Sequence, residues 1–272
     1  MPENRGVPGA EAAAAPSPAE PAPAGPAPRD RAEQEQYIQH LFDSIARHYD
    51  LMNMIMSAGA LRYWQRVFRR MNGVRPGDHV LDVACGTGEL SRIMAEQVGP
   101  EGHVWGIDLS PGMIEVGRRK LAAAGLAGRV TLQVGNALDL PFEDNRFDCV
   151  ATSFALRNMA DIRAALREMA RVTRPGGRVV CLELSHPPNP LIRYPYQWYF
   201  NKVVPWLGRW NERRFKLAGR MSPYRWLPES LRRFPDQEGL AQIFREAGLV
   251  DITYRNLTAG IVCLHVGAKP PA

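Results

Sequence analysis

The 272-residue chain is poor in cysteine, has no long apolar run and lacks a basic start followed by an apolar core. Its four cysteines, Cys85, Cys149, Cys181 and Cys263, lie singly inside apolar runs without CxxC spacing. That argues against a disulfide framework or a thiolate zinc site and for buried, reduced thiols in a cytoplasmic protein. The six histidines, His40, His48, His79, His103, His186 and His265, show no close ligand spacing, so no metal is expected. No stretch reaches the roughly 18 uninterrupted apolar residues of a membrane span. Nor does the N-terminus resemble a signal peptide. Residues 1–28 hold eight prolines and nine alanines with almost no large apolar side chains. Such a segment buries too little surface to offset its ordering entropy, so a disordered tail is expected over residues 1–34.

What is present suits a globular protein: 45% of the residues are apolar, enough for a core. The net charge of +6 admits an anionic partner, whether nucleic acid, a membrane surface or a phosphorylated substrate. From Tyr37 the pattern becomes periodic, and one folded unit over residues 35–272 is expected. Helix is predicted through Arg70, then strands near His79–Ala84, His103–Ile107, Arg129–Val134 and Phe147–Thr152, with helical patterns at Gly88–Val98, Pro111–Ala124 and Asp161–Thr173 between them. A fifth strand, "GRVVCLEL", follows the "RPGG" turn, and an irregular aromatic region follows that. A helix near Asp236–Ala247 then leads to two β-patterned runs flanking Leu257–Gly260, close enough for a hairpin. Alternating strand and helix argue for a doubly wound, mostly parallel α/β sheet, with ligands at the carboxyl ends of its strands.

The chemistry starts at "VLDVACGTGEL", Val80 to Leu90. A dinucleotide fingerprint would place a third glycine where this chain has Ser91. Gly86 and Gly88 permit close backbone approach to a ligand. Asp82 lies inside the strand's end, and Asp108 closes the second strand, where its carboxylate suits ribose hydroxyls. A third strand end carries "GNALDLPF", in which Asn136 suits an adenine edge beside the apolar Ala137, Leu138 and Phe142.

These strand ends, in this order, resemble those of class I S-adenosylmethionine-dependent methyltransferases, which implies a Rossmann-like, seven-stranded, mostly parallel sheet ending in an antiparallel hairpin. "YDLMNMIMSAGALRYW" (Tyr49 to Trp64), "SFALRN" (Ser153 to Asn158) and "RVTRPGGRVVCLELS" (Arg171 to Ser185) are similar to signature segments of the ubiquinone/menaquinone biosynthesis C-methyltransferase family. The likeness runs from about Tyr37 to the end. It implies that Thr87, Asp108, the Asn136–Ala137 pair and Ser153 contact the methyl donor; for Thr87 and Ser153, ordinary turn or capping hydroxyls are the alternative. It also implies transfer of the methyl to a ring carbon of a reduced polyprenylated quinol. A naphthoquinol is favoured; a benzoquinol or another small-molecule acceptor is the alternative. Where the family usually carries histidine before the tryptophan, this chain has Leu61, so no role is assigned there.

A phenol ionises near ~10, so a quinol needs help to become a nucleophile at neutral pH. Arg157 and Asn158 are the candidate catalytic residues, one to stabilise the phenolate and one to orient the ring. The competing reading pairs Arg157 with an acid on a neighbouring helix and makes Asn158 a helix cap. Residues 35–72 form an N-terminal helical unit, with Tyr49, Asp50, Asn53 and Trp64 as a lid or as a purely structural helix pair. The stretch 186–233 is the substrate or membrane segment. Within it, Leu191–Arg233 carries four of the six tryptophans, four of the eight tyrosines and ten Lys and Arg against two Glu. Such a mixture suits an anionic membrane interface or a groove for a polyisoprenoid tail, and peripheral contact with the inner face of the cell membrane is expected. Core packing is its alternative. No RNA-binding module is recognisable, so nucleic acid is not an expected partner. A homodimer is left open.

Overall fold

The computed structural model describes residues 30–57, 59–203 and 223–271. Seven strands form one sheet in the order β3-β2-β1-β4-β5-β7-β6. The parallel part comprises β1 (His79–Val83), β2 (His103–Asp108), β3 (Val130–Val134), β4 (Phe147–Ser153) and β5 (Thr173–Leu184). β6 (Val250–Leu257) and β7 (Val262–Ala268) form the expected hairpin, and β7 runs antiparallel to β5. Sequence order reverses on either side of β1, and a doubly wound sheet opens its crevice at such a switch point.

Side chains along β1 alternate between the two faces. Val80 joins the core under helices α4 (Glu89–Val98) and α5 (Pro111–Ala123), and Leu81 joins the core under α6 (Ile162–Val172). Local chemistry ends the helices where the pattern implied. Ser110, Asp161 and Asp236 each accept a backbone N–H three residues on, at the starts of α5, α6 and α9 (Gln237–Glu246). All four cysteines are buried free thiols.

Four differences from the sequence reading have physical causes. The first helix starts at Arg31, inside the span expected as tail, because Asp30 caps it by accepting the Glu33 N–H at 2.9 Å. Residues 1–29 of that span lie outside the described residues. The helix expected through Arg70 is three: α1 (Arg31–Ile45), α2 (Tyr49–Met56) and α3 (Leu61–Met71), broken by a 3₁₀ turn at Ala46–His48 and by Gly59 at φ 82°. The "RPGG" turn lies within β5 as a bulge, since Thr173 pairs with Phe147 while Arg178 pairs with Cys149. Finally, the aromatic region contains helices α7 (Pro190–Trp198) and α8 (Pro223–Arg233), and its residues 204–222 lie outside the described residues.

Candidate active site

The carboxyl ends of β1 to β4 converge on one crevice, covered by α1 and α2. After β1 the chain turns through Ala84 at φ 56°, Gly86 at 54° and Gly88 at 76°. A side chain at Gly88 would press on Leu121, with Cβ 3.2 Å from its Cδ1. At Gly86 the nearest atom is Cε1 of Tyr49, 3.8 Å away. Gly88 thus serves packing, while Gly86 bares backbone beneath the lid.

The two acids of the neighbouring strands part company here. Asp108 lines the crevice, its Oδ2 accepting the Gly86 N–H at 2.8 Å and its Oδ1 the Ser110 N–H at 2.9 Å. Burial pushes its pKa up to about 6, against the pull of those two bonds. Each oxygen keeps a lone pair for a ribose hydroxyl. Asp82, expected beside the donor, is instead only 1% exposed and accepts the Ser91 hydroxyl at 2.6 Å. Its placement corrects the sequence reading: the side chain of β1 at this register points into the core beneath α4, not into the crevice. Burial pushes Asp82 up to about 7. Ser91, where a dinucleotide fingerprint has glycine, is thus the partner that a buried Asp82 requires.

Asn136, Ala137 and Ser153 all line the crevice. Thr87 lines its continuation, a space of about 480 Å³ shared with Tyr49, Asp50, Asn53 and Arg62. Three carboxylates from the N-terminal helices bind the rim. Glu35 accepts from Asn136 Nδ2 at 3.0 Å, and Asp43 accepts the Gly112 N–H at 2.9 Å and the Ser110 hydroxyl. Asp50 accepts from Thr87 Oγ1 at 2.6 Å and from Lys120 Nζ at 2.5 Å. The N-terminal helices therefore cover the crevice and are tied to its rim by these three carboxylates. Once these carboxylates give way, the groups on this surface fit S-adenosylmethionine: a carboxylate for the sugar, an amide and apolar wall for the base, and a hydroxyl with an ammonium for the amino-acid end.

Beyond Phe154 lies a chamber of about 350 Å³ walled by Leu61, Trp64, Leu184, Tyr196, Phe200 and Ile261. Phe154 lines both this chamber and the crevice, and it too is left-handed, at φ 54°. Its carbonyl accepts from Arg157 Nη1 at 2.6 Å and from Asn158 Nδ2 at 3.5 Å, and its N–H donates to Leu182 at 2.8 Å. Arg157 lines the chamber and pairs through Nη1 with Glu183 at 2.5 Å. The acid that holds it stands on a strand, not on the helix that the competing reading had named. Asn158 does not cap α6, a task Asp161 performs; its Oδ1 accepts from Trp226 Nε1 at 2.8 Å. Across the chamber, Trp64 Nε1 donates to Thr258 Oγ1 at 2.7 Å.

Sequence reasoning missed Glu35, Asp43, Lys120, Glu183, Tyr196 and Thr258. Of these, only Glu183 left a signal, an acid inside the apolar run "VVCLEL".

The model of the ubiE/COQ5 methyltransferase family matches residues 30–269. The demethylmenaquinone methyltransferase of Symbiobacterium thermophilum is 47% identical over 237 residues, covering 87% of this chain and 94% of that protein. The ubiquinone/menaquinone biosynthesis C-methyltransferase UbiE of Cupriavidus necator is 45% identical, covering 88% of this chain and 95% of its own length. Among solved structures, a SAM-dependent methyltransferase from Aquifex aeolicus shares the fold, with a TM-score of 0.54 at 20% identity over 75% of this chain and 88% of that one. The match spans the lid, the crevice and the aromatic chamber together, and the chain belongs to the ubiE/COQ5 methyltransferase family.

Proposed function

We propose that this methyltransferase, whose donor is S-adenosylmethionine, methylates a ring carbon of a reduced polyprenylated quinol, converting a demethylmenaquinol to menaquinol. The observation that carries the reading is the chamber behind Phe154: apolar, walled by aromatic rings and reached by one buried cation, Arg157. Such a space suits a flat ring whose oxygen becomes anionic. The relatives named above act, by their names, on demethylmenaquinone and in ubiquinone/menaquinone biosynthesis.

S-adenosylmethionine, when bound, supplies an electrophilic sulfonium methyl and leaves as a neutral thioether. Asp108 would hold its ribose, Asn136 and Ala137 its base, and Thr87 and Ser153 its amino-acid end. The chain's remaining work concerns the acceptor. Arg157 stabilises the ring oxygenate once the hydroxyl proton has passed to water. The adjacent ring carbon then gains the methyl, its hydrogen shifts to the oxygen, and one proton is released overall. The oxidised ring lacks that electron-rich carbon. Asn158, tied to Trp226 and to the Phe154 carbonyl, keeps the partition between donor and acceptor in place.

Peripheral membrane contact belongs to the same proposal. Leu191, Tyr194 and Trp198 stand 83%, 68% and 64% exposed at helical spacing on α7. The inner side of that helix and the turn after it supply Tyr196 and Phe200 to the chamber. Among the described residues no helix is long and apolar enough to cross a membrane.

A radiolabelled methyl assay with extracted demethylmenaquinol and the demethylated benzoquinol, each reduced and oxidised in parallel, tests the reading. Label is expected in the reduced naphthoquinol and absent from both oxidised rings. Label in neither quinol would overturn it, and label in the benzoquinol alone would move the acceptor to ubiquinone synthesis.

A further inference from the structure

Among the described residues, two donor groups of the acceptor chamber have no partner. Arg157 has a side chain only 10% exposed; it commits Nη1 to Glu183 and to the Phe154 carbonyl, and its Nε is left without a partner. Tyr196 is 8% exposed, and its hydroxyl is likewise buried and unpartnered. Both residues line the same chamber. Buried N–H and O–H groups in folded proteins are nearly always paired, so orphans of this kind call for a ligand or a catalytic role.

Three neighbouring donors are spent elsewhere. The Trp64 ring N–H goes to Thr258, the Ser57 hydroxyl to the Met54 carbonyl, and the Trp226 ring N–H to Asn158. Arg157 favours and Glu183 disfavours ionisation of the Tyr196 phenol. Burial outweighs both and keeps that phenol far above its ordinary range, hence protonated. A protonated tyrosine gives a hydrogen bond; it does not remove a proton.

Resting on the quinol reading, we propose that Tyr196 is a further catalytic residue: its hydroxyl and the Arg157 Nε–H together hold the acceptor's ring oxygen as negative charge develops there, while Glu183 positions Arg157. Glu183 is fitted to positioning and not to proton removal. Its Oε1 takes both the guanidinium and the Leu184 N–H at 2.8 Å, and the residue is 1% exposed. A guanidinium gripped from one side presents its remaining edge in a fixed direction. Two such donors meeting one oxygen would reproduce the arrangement that acyl-transfer enzymes build for an oxyanion.

Tyr196→Phe keeps the ring and removes only the O–H. It should lower turnover of the reduced naphthoquinol on the order of 10²-fold and leave S-adenosylhomocysteine affinity, read by calorimetry, unchanged. The acid limb of its pH–rate profile should move to higher pH, because the ring hydroxyl then ionises less readily. The absorbance titration of a 2-hydroxy-1,4-naphthoquinone anion provides a readout without turnover, and Tyr196→Phe should weaken its binding roughly tenfold or more. Glu183→Gln should shift the same pH limb, and Glu183→Asp should restore part of it. If the wild type methylates the quinol and Tyr196→Phe matches it in rate, pH profile and anion affinity, the role of Tyr196 is refuted while the quinol reading stands. If the wild type binds S-adenosylhomocysteine but methylates no quinol, both fall.

Discussion

Asp82 and Asp108 were both read from the sequence as acids near the donor, one inside the end of its apolar strand and the other closing its strand. Their fates diverge because side chains of a strand alternate between faces and a strand's last residue escapes the sheet. The pH dependence of donor binding follows from that placement. Asp108 carries a folded-state pKa of about 6, and hydroxyl donors of a ribose favour its ionised form. Donor affinity should therefore be flat above pH 7 and fall by about tenfold per unit below pH 6. Calorimetry with S-adenosylhomocysteine measures this, and Asp108→Asn should abolish the break. Asp82→Asn should leave it in place, although Asp82 itself titrates at about 7, because its carboxylate faces Ser91 and not the ligand. A wild-type profile without a break would mean that the sugar is held by other groups.

For the helices, the sequence implied helix through Arg70; it showed neither the division into α1 to α3 nor what fastens them. α1 is fastened to the rim by single carboxylates meeting groups 67 to 101 residues away, as Asp43 meets Ser110 and Glu35 meets Asn136. Pairings at such separation leave no periodic trace. Two of these contacts occupy the very groups proposed for the donor, Thr87 and Asn136. Donor entry must exchange Asp50 and Glu35 for ligand atoms, so the lid and the ligand compete for the same hydrogen bonds. Asp50 is half exposed, which limits its contribution to about 1 kcal/mol. Asp50→Ala should accordingly raise hydrogen exchange in Tyr49–Met56 about fivefold in the empty protein. Exchange in Tyr37–Ile45, anchored through Asp43, should not change. Uniform acceleration of both segments would show that the helices open as one body.

Across the whole molecule, the parallel sheet, its switch point and the terminal hairpin were legible because strand and helix alternate with clear turn chemistry. The crevice was legible as well, since its residues sit within a few positions of strand ends. The acceptor chamber was not, for it gathers Trp64, Phe154, Tyr196 and Thr258 from four distant stretches. Composition announced the aromatic segment without saying which rings face inward. α7 resolves part of that: Tyr196 is buried, and Leu191, Tyr194 and Trp198 look outward. Should the outer rings meet lipid, Leu191→Ser with Trp198→Ser ought to reduce cosedimentation with phosphatidylglycerol vesicles at least tenfold at low salt. Methylation of a short-tailed quinol in solution ought to be unaffected. Equal sedimentation of variant and wild type would assign those rings another partner.

The strained Phe154 carries a consequence for kinetics. Its carbonyl is fastened by Arg157 and Asn158, so under the proposed function the wall between the two substrates is held by a residue, Arg157, that serves one of them. Damage to Arg157 cannot stay on the quinol's side. An Arg157→Lys enzyme would be expected to show a raised Michaelis constant for the donor as well as slow chemistry, a dual signature that a residue touching the acceptor alone would not leave.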